Sequence, residues 1–219
     1  MQLNRQHPVQ VDHGAQVSEV LAWLFNAFPE GHPFAGNPLI PSVPSRPEPW
    51  LLGSSPGSAG LAGALGIGYT FAGFINPTQA VEALTAYRSS FRPAAFGPEA
   101  ASRMLAVTDP GGATDEDAAR LGAPAMGYNA RVGRAGRTAG SVTVPAPEDA
   151  LAEMTPAQRD EPTGIVDGRW PRFVAGSPET VRRTLEQMVA ETGATEVMVQ
   201  DLIADPVDRR RSHELLMEG

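Results

Sequence analysis

Four times along this chain a proline directly follows a residue whose side-chain oxygen can cap a helix: Ser55-Pro56, Asn76-Pro77, Ser177-Pro178 and Asp205-Pro206. Proline at the first helical position lacks only an N–H that would have had no partner there. The oxygen before it can take one of the free amides of the first turn. Three of the four junctions follow a short apolar run of strand character: Trp50–Leu52, Tyr69–Ala72 and Glu196–Gln200. Before Ser177, Arg172–Ala175 reads as a shorter fourth strand. Helices are then expected over about Gly57–Leu65, Pro77–Phe91, Pro178–Thr192 and Pro206–Met217, with Gln79 closing a capping box on Asn76. Arg103–Val107 reads as a further strand and Asp115–Leu121 as a further helix. Strand, cap and helix in repetition predict an α/β fold with a parallel sheet.

The flanks are less regular. Val17, Val20, Leu21, Leu24 and Phe25 recur at helical spacing within a helix expected from about Gln16 to Phe28, which makes Trp23 and Phe25 core residues. Residues 29–49 hold seven prolines and no period, so they form a long loop. Residues 1–14 and 133–170 are expected to be irregular; the latter is a Gly-, Pro- and Thr-rich insertion or lid with one short helical signal, Pro147–Met154. The whole of 1–219 reads as one domain.

Charge and composition exclude several functions. The net charge is −8, and no Lys/Arg stripe offers counterion release, so nucleic acid is not an expected partner. Arg131, Arg134 and Arg137 cluster in a Gly-rich stretch and read as a solvated loop, as Arg182-Arg183 and Arg209–Arg211 read as solvated helix faces. With no cysteine there is neither disulfide nor thiolate metal site. The first ten residues lack the apolar core of a signal peptide, and the apolar stretch 51–74 is broken by Gly, Ser and Pro, so no membrane segment and a cytoplasmic location are expected.

The stretch with most chemical content is Trp50 to Ala59, WLLGSSPGSA. A strand runs into Gly53-Ser54-Ser55 and then into a helix starting at Pro56. Small residues let a ligand approach the backbone, and the free amides of a helix start favour an anion. Hydroxyls at Ser54, Ser55 and Ser58 add donors, so a phosphate monoester suits the spot. The same residues also make an ordinary turn and N-cap. The loop is neither GxxxxGK[ST] nor GxGxxG, which disfavours nucleoside triphosphates and Rossmann cofactors.

WLLGSSPGSAGLAGALGIGYTFAGFINP resembles the middle signature of luciferase-like flavin-dependent monooxygenases. FVAGSPETVRRTLEQMVAETGATEVMVQ, followed by DPVDRRRSHELL, resembles that family's closing strand–helix–strand–helix, and FPEGHPF its approach to the first block. Together these cover about half of the chain, in family order. The resemblance implies a (β/α)8 TIM-barrel type fold, here incomplete: the C-terminal half of the barrel with a long loop insertion. It implies a flavin at the C-terminal ends of the strands, with Gly53, Ser54, Ser55 and Ser58 as the cofactor-binding residues that grip its phosphate. Ser55 and Ser58 match the family's hydroxyl positions, and Gly176 and Ser177 open another loop on the same face. Reduced FMN would react with dioxygen and oxygenate a small organic substrate; some relatives use a deazaflavin for hydride transfer instead.

The family's opening strands, with their acidic-His-His run, have no counterpart in this sequence. His7, His13, His32 and His213 stand apart, His213 where the family usually has Tyr, and Gly73 occupies the place of a family histidine after Phe-Ala. No catalytic acid or base is therefore assigned. A half-barrel with open edges would need a homodimer partner or the missing barrel half. Two other readings stand beside the enzyme: a non-catalytic flavin-binding or orphan fragment, and a plain structural domain whose serines only cap a helix.

Overall fold

A computed structural model describes residues 12–40, 45–136 and 142–217. Helix α1 (His13–Phe25) opens the described chain, with Asp12 accepting from the Gly14 amide. Then follow β1 (Trp50–Gly53), α2 (Pro56–Leu65), β2 (Gly68–Ala72), a 3-10 turn at Pro77–Gln79, α3 (Ala80–Ser90) and β3 (Arg103–Thr108). Next are α4 (Asp115–Ala135), α5 (Pro147–Glu153), α6 (Pro156–Arg159), α7 (Pro178–Thr192), β4 (Glu196–Gln200) and α8 (Pro206–Met217).

The four strands form one sheet in the order β1-β2-β3-β4, every pair parallel. Registers such as Gly53↔Phe71, Ala72↔Ala106 and Thr108↔Gln200 bring all four C-terminal ends to one edge. Side chains alternate across the sheet. Tyr69, Phe71, Leu105 and Val107 face a buried layer shared with Ala59, Ala62, Ala83, Leu84, Tyr87, Val181 and Met188 from α2, α3 and α7. Thr70, Ala106 and Thr108, also buried, take the opposite face. Among the described residues β1 and β4 pair on one side only, and Leu52 and Met198 on them are 55% and 47% exposed.

Several expectations need correction. Arg172–Ala175 is not a strand: β4 already occupies the β3 edge, where Asp109 N–H donates to Gln200 O. The 172–176 segment is left with the tip of β3, through Val174 N to Thr108 O (3.0 Å) and the bridge between Gly176 and Gly111. Helix α4 does not stop near Leu121 but continues through Pro124 to Ala135. The interior proline removes one hydrogen bond, yet Ala123, Ala125 and Gly127 on that stretch are buried, and a methyl group on Gly127 would press on Pro145 and Ala150 of the neighbouring α5 segment. Packing outweighs the breaker. Arg131 and Arg134 consequently sit on a helix and pair with Glu153 of α5, rather than lying in a solvated loop; Arg137 falls outside the described residues. The capping box is found at Thr155 and Gln158 rather than at Asn76, whose side chain donates to Gln79 Oε1 instead.

Candidate functional site

The four predicted cofactor residues lie together at the β1–α2 junction, on the C-terminal edge of the sheet. Ser55 has extended backbone and its Oγ accepts from Ser58 N at 3.4 Å, a long cap. The same Oγ is 3.3 Å from Ser58 Oγ. Ser58 Oγ is held more firmly: it donates to Ser55 O at 2.9 Å and lies 3.1 Å from Tyr69 Oη, which itself donates to Ser55 O at 3.3 Å. A methyl group on Gly53 would overlap Ser58 Oγ, so this glycine is what lets α2 start so close to β1. Ser54 anchors the β2–α3 turn by accepting from Asn76 Nδ2 at its carbonyl, 3.4 Å away. The Gly57 amide carries no hydrogen bond among the described residues, and space beyond its Cα is open, Ser55 Oγ being the nearest side-chain atom at 3.8 Å.

The donors thus divide by direction. Ser58 and Tyr69 brace the loop from within. Ser55 Oγ, bound only by long contacts, together with Ser54 Oγ and the Gly57 N–H, remains for a ligand. Serine, tyrosine and amide donors suit an anion, and among the described residues no carboxylate hydrogen-bonds into this loop. Burial raises the Tyr69 pKa, against the lowering effect of its Ser58 and Ser55 hydrogen bonds, so the phenol stays a neutral donor.

The second serine–proline junction differs. Ser177 Oγ does not cap its own helix; it donates to Thr180 Oγ1. Asp115 Oδ1 instead accepts from Ser177 N at 2.6 Å, and that backbone hydrogen bond is the main reason its pKa is lowered. The N-terminus of α7 therefore already has a carboxylate beside it, which the start of α2 has not among the described residues.

Four features of this edge escaped the sequence. Tyr69 looked like any strand aromatic. Arg172 donates from Nε to Phe74 O at 3.0 Å, tying the 172–176 segment to the end of β2. Asp201, just past β4, and His213 of α8 meet at 2.7 Å, although twelve residues separate them. Asp109, just past β3, is fully buried with neither carboxyl oxygen partnered, and burial pushes its pKa up to about 7. A hollow of about 520 Å³ along α8, lined by Pro206, Arg209, Arg210, His213, Glu214 and Met217, shares no residue with the serine loop and is bounded by one helix alone. Among the described residues no group of three or more His, Cys, Asp or Glu could hold a metal, and no helix is long and apolar enough to cross a membrane.

Comparison with known proteins agrees with this geometry. The protein YceB of Bacillus subtilis (strain 168) is 33% identical over 205 residues, covering 93% of this chain and 59% of its own length. The crystal structure of apo-MsnO8 superposes with a TM-score of 0.76 at 34% identity, covering 95% of this chain and 60% of that one. The oxygenating constituent of 3,6-diketocamphane monooxygenase from the CAM plasmid of Pseudomonas putida, a type II Baeyer-Villiger monooxygenase solved in complex with FMN, matches in fold at TM-score 0.51 and 22% identity, over 78% of this chain and 47% of that one. The chain thus spans about three-fifths of the length of the first two, and its four parallel strands are part of a fold of TIM-barrel type. The family model described as luciferase-like monooxygenase matches residues 14–196, and the chain belongs to that family.

Proposed function

We propose that this chain is the phosphate-gripping part of a flavin-dependent monooxygenase that uses reduced FMN to oxygenate a small organic substrate. One observation carries the reading: at the C-terminal edge of a parallel sheet, the β1–α2 junction presents Ser54 Oγ, Ser55 Oγ and the Gly57 amide with no carboxylate bonded among them. A doubly charged phosphate monoester is matched by such neutral donors at a helix start. Ser58 and Tyr69 hold Ser55 in place from behind. Bound there, the flavin supplies the redox chemistry, and the protein contributes position and exclusion of water. A deazaflavin would bring hydride transfer instead. The small-molecule substrate, and whatever covers the open edges of β1 and β4 (a second copy or the remaining barrel strands), belong to the same proposal, as does a cytoplasmic setting.

The test compares FMN with riboflavin. Ser54→Ala together with Ser55→Ala should weaken FMN binding by about tenfold or more, since hydrogen bonds to a charged group contribute on the order of 1.5–3 kcal/mol each. Riboflavin binding should hardly change. Equal losses for both ligands would remove the phosphate from this loop. A second reading, flavin binding without turnover, is favoured by Gly73, which stands where the resemblance places a histidine after Phe-Ala. Oxygen consumption by the FMN-loaded chain with a reductant decides between the two.

A further inference from the structure

Asp109 carries a carboxyl that the flavin reading does not use. It follows the last residue of β3, is completely buried, and both its oxygens lack a hydrogen-bond partner among the described residues. Two helices roof the turn that starts there. Pro110 lies against α4, where a methyl group on Gly122 would come within 2.9 Å of its ring. Gly111 lies against Leu216 and the Ser212 carbonyl of α8. Ser212 is itself fully buried, its hydroxyl as unpartnered as the carboxyl.

The charged groups on the surrounding elements are largely committed elsewhere. On α4, Arg120 bonds to Asp117 and to Asp208 of α8, Asp115 takes the Ser177 amide, and Glu116 is exposed. On α8, His213 pairs with Asp201, and Arg210 and Arg211 with Glu214, while Arg209 is exposed. Asp205 caps the first turn of α8, and Arg172 bonds to Phe74 O. No charge among them offsets the burial of Asp109, for which desolvation is the one cause of its shift.

We propose that Asp109 is a proton-operated latch for α8: the neutral carboxyl lets the helix sit over the β3–α4 turn, and loss of the proton to solvent draws water in and unseats it. A carboxylate cannot remain dry without a partner, so one roofing element must yield. Helix α4 spans 21 residues and packs along α5, whereas α8 has 12, with Ser212 its one buried residue among those described. The contacts that tether α8, the Arg120–Asp208 ion pair and the His213–Asp201 hydrogen bond, involve partly exposed side chains, and such contacts hold weakly. Because α8 lies beside the ends of β3 and β4, its release opens that side of the C-terminal edge. The latch stands whether or not the serine loop holds a phosphate.

Hydrogen exchange on the whole chain tests this, with rates corrected for the intrinsic pH dependence of exchange and α7 as internal reference. Between pH 5.5 and 8.5, protection of the α8 amides should fall about tenfold or more relative to α7. Asp109→Asn and Asp109→Leu should each keep α8 protected at both pH values. His213→Gln should leave the fall in place, which separates the latch from the His213–Asp201 contact. Unchanged protection in the unsubstituted chain overturns the proposal without recourse to any variant. So does a fall that persists in both Asp109 variants or disappears with His213→Gln.

Discussion

The C-terminal edge of the sheet has two unlike halves. Past β1, the side chains are uncharged donors: Ser54, Ser55, Ser58, with Tyr69 and Asn76 behind them. Past β3 and β4 stand four aspartates: Asp109 and Asp201 directly after the strands, Asp115 at the start of α4 and Asp205 directly before α8. Both halves contain a serine–proline helix start, and the local sequence alone does not tell them apart. A carboxylate 62 residues away reaches the amide at Ser177, while at Ser55 only the loop's own hydroxyl, 3.4 Å from the amide it caps, does the work. Helix amides donate to whichever anion comes within reach. The half already served by carboxylates disfavours a phosphate, and the proposed phosphate site lies in the half without them.

The largest effect that can sharpen this contrast comes from Asp109. Its folded pKa is raised, so between about pH 4 and about 7 the folded chain keeps a proton that the unfolded chain has released. Stability must therefore fall as pH rises through that window and level off above it. A carboxyl moved from 3.8 to about 7 corresponds to about 4 kcal/mol. Denaturant titrations at pH 4, 5.5, 7 and 8.5 should show the decline, and Asp109→Asn should remove most of it. A curve that rises from pH 4 to 7 in the unsubstituted chain would mean that Asp109 finds a partner the structure does not show.

The donor half is tested by a pair of glycines. Gly53→Ala places a methyl group on Ser58 Oγ and against Tyr69 Oη, atoms tied to the Ser55 carbonyl. Overpacking of this kind costs about 1–3 kcal/mol, and the loop must shift to relieve it. Gly57→Ala meets nothing closer than 3.8 Å and replaces glycine in the first turn of α2, so stability should hold or rise by up to about 1 kcal/mol. Thermal melts of the two variants should separate clearly. If they melt alike, α2 is not seated on β1 through Ser58, and the view of Ser58 as an internal brace fails.

Much of this architecture could be read in advance because its signals are local. The runs at Trp50, Tyr69, Arg103 and Glu196 became the four strands, and the prolines at 56, 178 and 206 begin helices where they were expected to. Failures came wherever a distant partner decides. Pro124 reads as a helix stop, but the buried side of α4 carries the helix past it. Arg172–Ala175 has strand composition, and a strand already in place leaves it no ladder. The cluster of serines was legible as a group, but their division into inward brace and outward donor depends on Tyr69, eleven residues beyond Ser58. Nothing in Thr-Asp-Pro-Gly-Gly announces that Asp109 is buried without a partner among the described residues, since α4 and α8, which pack on the turn it begins, lie far along the chain.

The smallest expected effect asks whether the two serine–proline helices are independent. The folded pKa of Asp115 is lowered, chiefly by the Ser177 amide, so its contribution is present above the ordinary carboxylate range. It is lost as pH falls below about 4 through the folded value, the opposite sign to Asp109. At neutral pH, Asp115→Asn keeps an acceptor oxygen but removes the charge, and the first-turn amides of α7 should exchange a few times faster than in the unsubstituted chain. That difference should vanish once acid has neutralised Asp115 as well, while the first turn of α2, which no carboxylate serves, should exchange alike in both proteins at every pH. Loosening of α2 in step with α7 would show that the two halves of the edge are coupled, and the assignment of phosphate to one of them by local charge would no longer hold.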